Sequence, residues 1–222
     1  MTSSVARSSK GSIKKIQGPI VAITVGASKE PFHVHESIIC NSSLFFKTAM
    51  SGSWKESKEH TFKLPEDDPE IFALYLHWLY FAEIPVMLEK YAAKEEAARH
   101  RYKEYHNFVD AYVLGDKLLD GKFQNSIIDA ILEMCSTPDA HDGRKYYPSM
   151  AVIKHAYIVT TESAGIRKLF VDLFVNTAAA KWLSRELPAE FLYSVAEGLM
   201  IKRTSYGGPI KASQYYAKPS LF

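Results

Sequence analysis

Apolar residues alternate with polar or small ones only within the first 65 residues, and later segments repeat every three to four residues. In the first alternating segment, Val21, Ile23 and Val25 occupy every second position. Successive side chains of a strand point to opposite faces, so this spacing predicts a half-buried strand. Two further short strands are predicted at residues 32–35 and 61–64. The whole pattern predicts an α+β fold, with a small three-stranded sheet covered by helices and followed by an α-helical extension.

Short helices are predicted between the second and third strands, one from ESIIC and one from LFFKTAM. Asn41, Ser42 and Ser43 separate these two helices, and Ser42 is the predicted N-cap of the second one. A longer helix is predicted to begin at the sequence PEDDPE. There Asp68 can cap the helix, and Pro69 suits its first turn because the missing N–H group would be unpaired at that position.

The charged stretch near residues 87–104 is rich in Ala, Glu, Lys and Arg, and it runs without a helix breaker into an apolar stripe. The loop STPDAHDGRKYYP follows one more helical segment. Three further helices are predicted at residues 149–160, 165–183 and 188–200. The predicted organisation is a disordered tail over 1–17, a domain over 18–136 that includes the charged helical insertion near 87–104, a helical C-terminal extension over 145–201 and a loose tail over 202–222.

Charge and apolar content restrict the class of partner. The formal net charge of +2 is too small to predict nucleic acid or an anionic membrane as a direct partner. The longest apolar run, Ile71–Ala82, is too short to span a bilayer, and residues 1–17 hold no apolar segment typical of a signal peptide. Cys40 and Cys135 lie in apolar surroundings and are predicted to be free thiols. These features favour a cytoplasmic or nuclear protein.

Two histidines and a cysteine are close together in FHVHESIIC, which raises two chemical alternatives. His33 and His35 would project from one face of a strand as two metal ligands, but no good third ligand is nearby. Cys40 could act as a nucleophile, although its apolar segment offers no evident base. We interpret His35 as a hydrogen-bond donor or acceptor to the backbone at the strand-to-helix turn. No catalytic residue, metal site or cofactor is predicted.

An ordered set of motifs resembles the signature of the BTB/POZ domain. The first part of this set comprises Phe32, Val34, His35, Ile38, Ile39, Ser43 and Phe46. It continues in order with WKES at 54–57, LPEDDPEIF at 64–72, WLY at 78–80 and AYVLGDKLL at 111–119. The resemblance covers roughly residues 20–134. It implies a protein-interaction module, in which the histidines and the cysteine are part of the framework.

The second half of the chain resembles the tail region of many fungal BTB-domain proteins. The segment AYIVTTESAGIRKLFVDLF, residues 156–174, has a Tyr and a Thr before an Arg-Lys-Leu/Val-Asp helix. This resemblance implies a fungal BTB-domain protein with a helical C-terminal extension.

Members of this family have three known roles. Some members bind a cullin scaffold as substrate adaptors for ubiquitin ligation, often through a hydrophobic-x-Glu motif after the second helix, which Trp54, Lys55 and Glu56 match. The alternative is a general scaffold or transcription-associated protein without cullin binding. The resemblance argues against a swapped, repressor-type homodimer, because Gly18-Pro19 and Glu36 stand where that branch commonly has Asp and a basic residue.

Overall fold

Three short strands form one sheet in the order β2-β1-β3. The strands are β1 (Ile20–Val25), β2 (Phe32–His35) and β3 (Thr61–Leu64). The computed structural model describes residues 16–27, 30–52, 59–85, 94–139 and 142–203, without the side chains of 94–98. β2 is antiparallel to β1 and β3 is parallel to it. All three β1 residues predicted to face inward are buried, which confirms the half-buried strand.

The turn after β1 requires a glycine. Gly26 has φ of +59°, a left-handed conformation that residues with a side chain rarely adopt. A Cβ atom placed there would lie 2.9 Å from the backbone oxygen of Asp67, just before the third helix described below. Gly26 therefore lets the end of β1 approach the turn after β3, and its N–H group donates to the Leu64 carbonyl oxygen at 2.9 Å.

Two short helices, α1 (Glu36–Ser42) and α2 (Leu44–Ser51), follow β2. The N-cap of α2 is Ser43, whose hydroxyl accepts a hydrogen bond from the Phe46 N–H group at 3.2 Å. The prediction of Ser42 as the cap is wrong, because Ser42 is still part of α1 and Ser43 has the extended backbone that a cap needs.

The helix α3 (Pro69–Phe81) begins as predicted. The Asp68 side chain accepts from the N–H groups of Glu70 and Ile71, and Pro69 lies in the first turn. The helix buries Ile71, Phe72, Tyr75 and Trp78 and ends at Ala82 in a left-handed conformation. These buried residues place the helix against the sheet and its neighbouring helices.

Two longer helices complete the core, α4 (Lys94–Lys117) and α5 (Gly121–Ser136). The charged stretch is predicted to continue as a helix into the apolar stripe, and residues 94–117 confirm this as one helix. Residues 86–93 lie outside the described ranges. The helices bury one large apolar set: Tyr105, Phe108, Val109, Leu114, Phe123, Ile127 and Ile131.

Three α-helices follow the loop after α5: α6 (Met150–Val159), α7 (Gly165–Thr177) and α8 (Ala189–Lys202). The prediction of a single helix over 165–183 is wrong at its C-terminal end. The α-helix ends at Thr177, and Ala180–Trp182 form a separate 3-10 turn. The side chains of Asn176 and Thr177 bond to carbonyl oxygens of the preceding turn, which favours an end to the helix there.

The chain splits into two compact units between Phe170 and Val171. The first unit holds the sheet, α1 to α6 and the start of α7. In the second unit, the rings of Phe174 and Phe191 meet edge to face with centroids 5.3 Å apart. The architecture confirms the predicted α+β fold with a helical extension. The domain limits predicted above, 18–136 and 145–201, stay predictions.

Candidate protein-interaction surface

The residues predicted to bind a partner, Trp54, Lys55 and Glu56, lie in segment 53–58, outside the residues that the structure describes. The helix before this segment, α2, ends at Ser51, and β3 follows the segment. Trp54 is therefore the third residue after α2. Their role in binding stays a prediction.

Two leucines near α2 are open to solvent. Leu44, the first residue of α2, is 54% exposed, and Leu119, in the link between α4 and α5, is 58% exposed. The two segments are joined, because the Phe45 N–H group donates to the Leu118 carbonyl oxygen at 3.3 Å. We call Leu44 and Leu119 the exposed leucine pair. A contiguous exposed apolar patch is typical of a surface that binds protein, whereas single exposed leucines are common on protein surfaces.

Sequence reasoning missed the exposed leucine pair. The segment LFFKTAM predicts a helix, but its apolar residues are too numerous to show which one faces solvent. Which residue of α2 faces solvent depends on a contact with a segment about 75 residues later in the chain. There the Ser43 hydroxyl donates to the Leu118 carbonyl oxygen at 2.6 Å.

The two histidines of β2 have different surroundings. His33 is exposed, whereas His35 is half-buried and its Nδ1 lies 2.8 Å from the Tyr80 hydroxyl oxygen. The His35 N–H group donates to the same oxygen at 3.1 Å. The prediction of a backbone partner for the His35 ring is wrong, because the C-terminal end of α3 brings a tyrosine hydroxyl to it. Within the described ranges, no group of three His, Cys, Asp or Glu residues is placed to hold a metal ion.

Both cysteines are free thiols, as predicted. Burial, and then the negative charge of Glu36, raise the pKa of Cys40 to about 11. Burial also raises the pKa of Cys135, whose Sγ lies 3.1 Å from the Tyr105 hydroxyl. The thiolate is the reactive form of cysteine, and these surroundings disfavour it at neutral pH.

A buried carboxylate, which sequence reasoning missed, ties three elements together. Asp120 is 1% exposed and caps α5 by accepting from the Phe123 N–H group at 3.1 Å. Its other oxygen accepts from the hydroxyls of Ser42 at 2.5 Å and Tyr75 at 3.0 Å. The signal for it was local, an Asp directly before a helical segment. Its contacts to α1 and α3 give this polar residue a structural role.

The acidic run before α3 also has structural partners. Asp68 caps the helix as described, and Asp67 pairs with Lys117 at 2.7 Å. Negative charge beside a helix N-terminus is favoured by the helix dipole. Asp68 therefore stabilises the start of α3, and Asp67 links that start to the end of α4.

The residues that carry the resemblance to fungal tails form one cluster around Arg167, which is 8% exposed. Its guanidinium carbon lies 4.4 Å from the centroid of the Tyr157 ring. Nε donates to the Thr160 hydroxyl at 3.0 Å, and Nη2 donates to the carbonyl oxygens of Tyr157, at 2.8 Å, and Thr160. A cation bonded to the last carbonyls of a helix stabilises its C-terminal end, here that of α6.

Comparison with known proteins identifies the first part of the chain. The family model of the BTB/POZ domain, a protein–protein interaction module, matches residues 17–110. A search of curated proteins gives no match. None of the helices in the described part of the chain has both the length and the apolar character that a membrane crossing requires. The sheet, the helices around it and the family match agree, and residues 17–110 of the chain therefore belong to a BTB/POZ domain.

Proposed function

We propose that this protein is a substrate adaptor for a cullin-type ubiquitin ligase, with Trp54 and Glu56 as the anchors of the cullin contact. The observation that carries the proposal is the position of Trp54, three residues after the end of α2. The hydrophobic-x-Glu motif of the adaptors that this chain resembles follows the second helix in the same way. Trp is among the residues that most often dominate the binding energy of an interface.

The exposed leucine pair supports this proposal. Leu44 begins the helix that leads to the motif, and Lys47 and Thr48 on the same helix are also exposed. An exposed apolar residue beside polar ones is compatible with an interface that has an apolar core and a polar rim. We propose that Leu44 belongs to the cullin contact together with Trp54.

The test is co-purification of the full chain with each of a set of purified cullins. We expect the wild-type chain to retain one cullin, and Trp54→Ala combined with Glu56→Ala to lose it while circular dichroism and thermal unfolding stay unchanged. A matched control is Trp182→Ala combined with Glu186→Ala, which removes the same residue types from the second unit. Failure of the wild-type chain to bind any cullin would reject the adaptor role; binding by the double variant would reject the motif.

A second candidate is a scaffold or transcription-associated protein that joins two partners without a cullin. The observation that favours it is the exposed apolar content of α8, where Tyr193 is 73%, Met200 72% and Ile201 79% exposed. Affinity capture of the full chain tests it. One variant changes α8 and another changes the Trp54 segment. The scaffold role gains support if each variant loses a different protein from the capture.

We further propose that the protein is monomeric at micromolar concentration and acts in the cytoplasm or the nucleus. The sequence departs from the repressor-type pattern at Gly18, Pro19 and Glu36. Light scattering on the purified chain is expected to give a mass near 25.0 kDa. A mass of twice that value would contradict the proposal.

A further inference from the structure

A histidine pair lies where the BTB/POZ match ends and the helical extension meets it. The match stops at residue 110, inside α4, and α6 is the first helix after the loop that follows α5. His155 on α6 has its Nε2 atom 2.6 Å from an oxygen of Asp110 on α4. The contact thus joins the last matched residue to the extension.

A second histidine stands beside this contact. His106 is one helical turn before Asp110 on α4, so the two side chains lie on the same face. The ring centroids of His106 and His155 are 5.3 Å apart, with 50° between their planes. All three side chains are half-buried, and α6 buries Val152, Ile153 and Ala156.

The three side chains of His106, Asp110 and His155 carry a net positive charge when both rings are protonated. One carboxylate neutralises one imidazolium, and a second proton places two positive rings side by side at a partly desolvated interface. Burial lowers the pKa of His106, the neighbouring His155 lowers it further, and Asp110 acts in the opposite direction. The groups that act on His106 are thus Asp110 from its own helix and His155 from the facing helix.

We propose that the α4–α6 contact is a proton-sensitive junction, in which a second proton on the His106–His155 pair loosens the extension from the BTB/POZ domain. A histidine with a lowered pKa binds its proton less well in the docked state than in the released state. Docking is therefore fully favourable above the ordinary histidine value of 6.5 and weakens as the pH falls below it. The docking of α6 depends in this way on the protonation of His106.

Hydrogen–deuterium exchange of the full chain tests the proposal at pH 7.5 and pH 5.5. After correction for the intrinsic exchange rate, we expect the amides of α6 to lose protection at the lower pH, by up to about tenfold per pH unit, the limit for uptake of one proton. The amides of α5 are expected to keep theirs. His106→Gln should abolish the pH dependence in α6, and His33→Gln, which changes an exposed histidine elsewhere, should retain it.

Asp110→Asn removes the carboxylate that acts against the lowered pKa of His106, so the loss of protection in α6 between pH 6.5 and pH 5.5 is expected to be larger than in the wild-type chain. Equal protection of α6 at both pH values in the wild-type chain would overturn the proposal, as would an unchanged pH dependence in His106→Gln.

If a variant fails to fold, NMR titration of the unmodified chain decides. We expect the His106 ring to protonate below pH 6.5 and to shift the His155 signals, whereas independent titration of the two rings overturns the junction.

Discussion

The hydroxyl of Tyr75 donates a hydrogen bond to the Asp120 carboxylate across 3.0 Å, and both residues are almost fully buried. Burial, together with the negative charge of Asp120, raises the pKa of Tyr75. The phenol therefore stays protonated at neutral pH and acts as a hydrogen-bond donor to the carboxylate. The contact fixes α3 to the N-terminal end of α5, and Ser42 extends it to α1.

Asp120→Ala is expected to lower the free energy of unfolding by about 3 kcal/mol, because it removes a helix cap and leaves buried hydroxyls unpaired. Urea denaturation of the full chain measures the change. Asp129→Ala, at an exposed position of α5, is the control and should change the free energy by less than about 0.5 kcal/mol. Equal effects of the two substitutions would contradict a special role for Asp120.

Gly26→Ala is expected to destabilise the protein more than Gly143→Ala, although both glycines have a left-handed φ. At Gly143 nothing lies within 4 Å of an added Cβ, so only the backbone cost of about 1 kcal/mol applies. At Gly26 the contact with the Asp67 oxygen adds to that cost and brings the total to about 3 kcal/mol. Chemical denaturation of both variants gives the comparison, and a similar loss in each would argue against the steric contribution.

Arg167→Lys keeps the charge but loses the planar fork that bonds to Thr160 and the carbonyl of Tyr157. We expect the free energy of unfolding to fall by about 2 kcal/mol, since a lysine makes neither the stacking contact nor the paired hydrogen bonds. Thermal or urea unfolding reports the loss. Lys168→Arg, at the next, exposed position, is the matched control and should be close to neutral.

Alkylation of Cys40 by iodoacetamide is expected to be slow at pH 7.5 and to accelerate about tenfold per pH unit as the pH rises toward its pKa of about 11. Glu36→Gln removes the second cause of the raised pKa, so Cys40 should react faster in that variant. Mass spectrometry of the two cysteine-containing peptides separates Cys40 from Cys135. Rapid modification of Cys40 at neutral pH in the wild-type chain would show an activated thiol.

Local signals gave the parts of the fold that depend on near neighbours in the sequence. Asp68 followed by Pro69 predicts the start of α3, and the alternation of Val21, Ile23 and Val25 predicts β1. Each of these features is decided within one turn or one strand. The structure confirms both because the same residues make the local contacts that the pattern requires.

Features that depend on contacts between distant parts of the chain could not be predicted from local sequence patterns. Ser42 and Ser43 are equally good caps by residue type, and the difference between them comes from Asp120 and Leu118, more than 70 residues away. The end of α7 was missed for a related reason. The alanines that follow Thr177 favour a helix, so their composition gave no sign that the α-helix stops before them.

The unbroken helix α4 has a practical consequence for anyone who wants to produce the BTB/POZ domain separately. The family match stops at residue 110, but α4 continues to Lys117 and its later turns bury Ala111 and Leu114. A protein expressed only to residue 110 would end in mid-helix and also lack Asp120, the partner of Tyr75. A soluble minimal fragment should therefore extend at least through Ser136, where α5 ends.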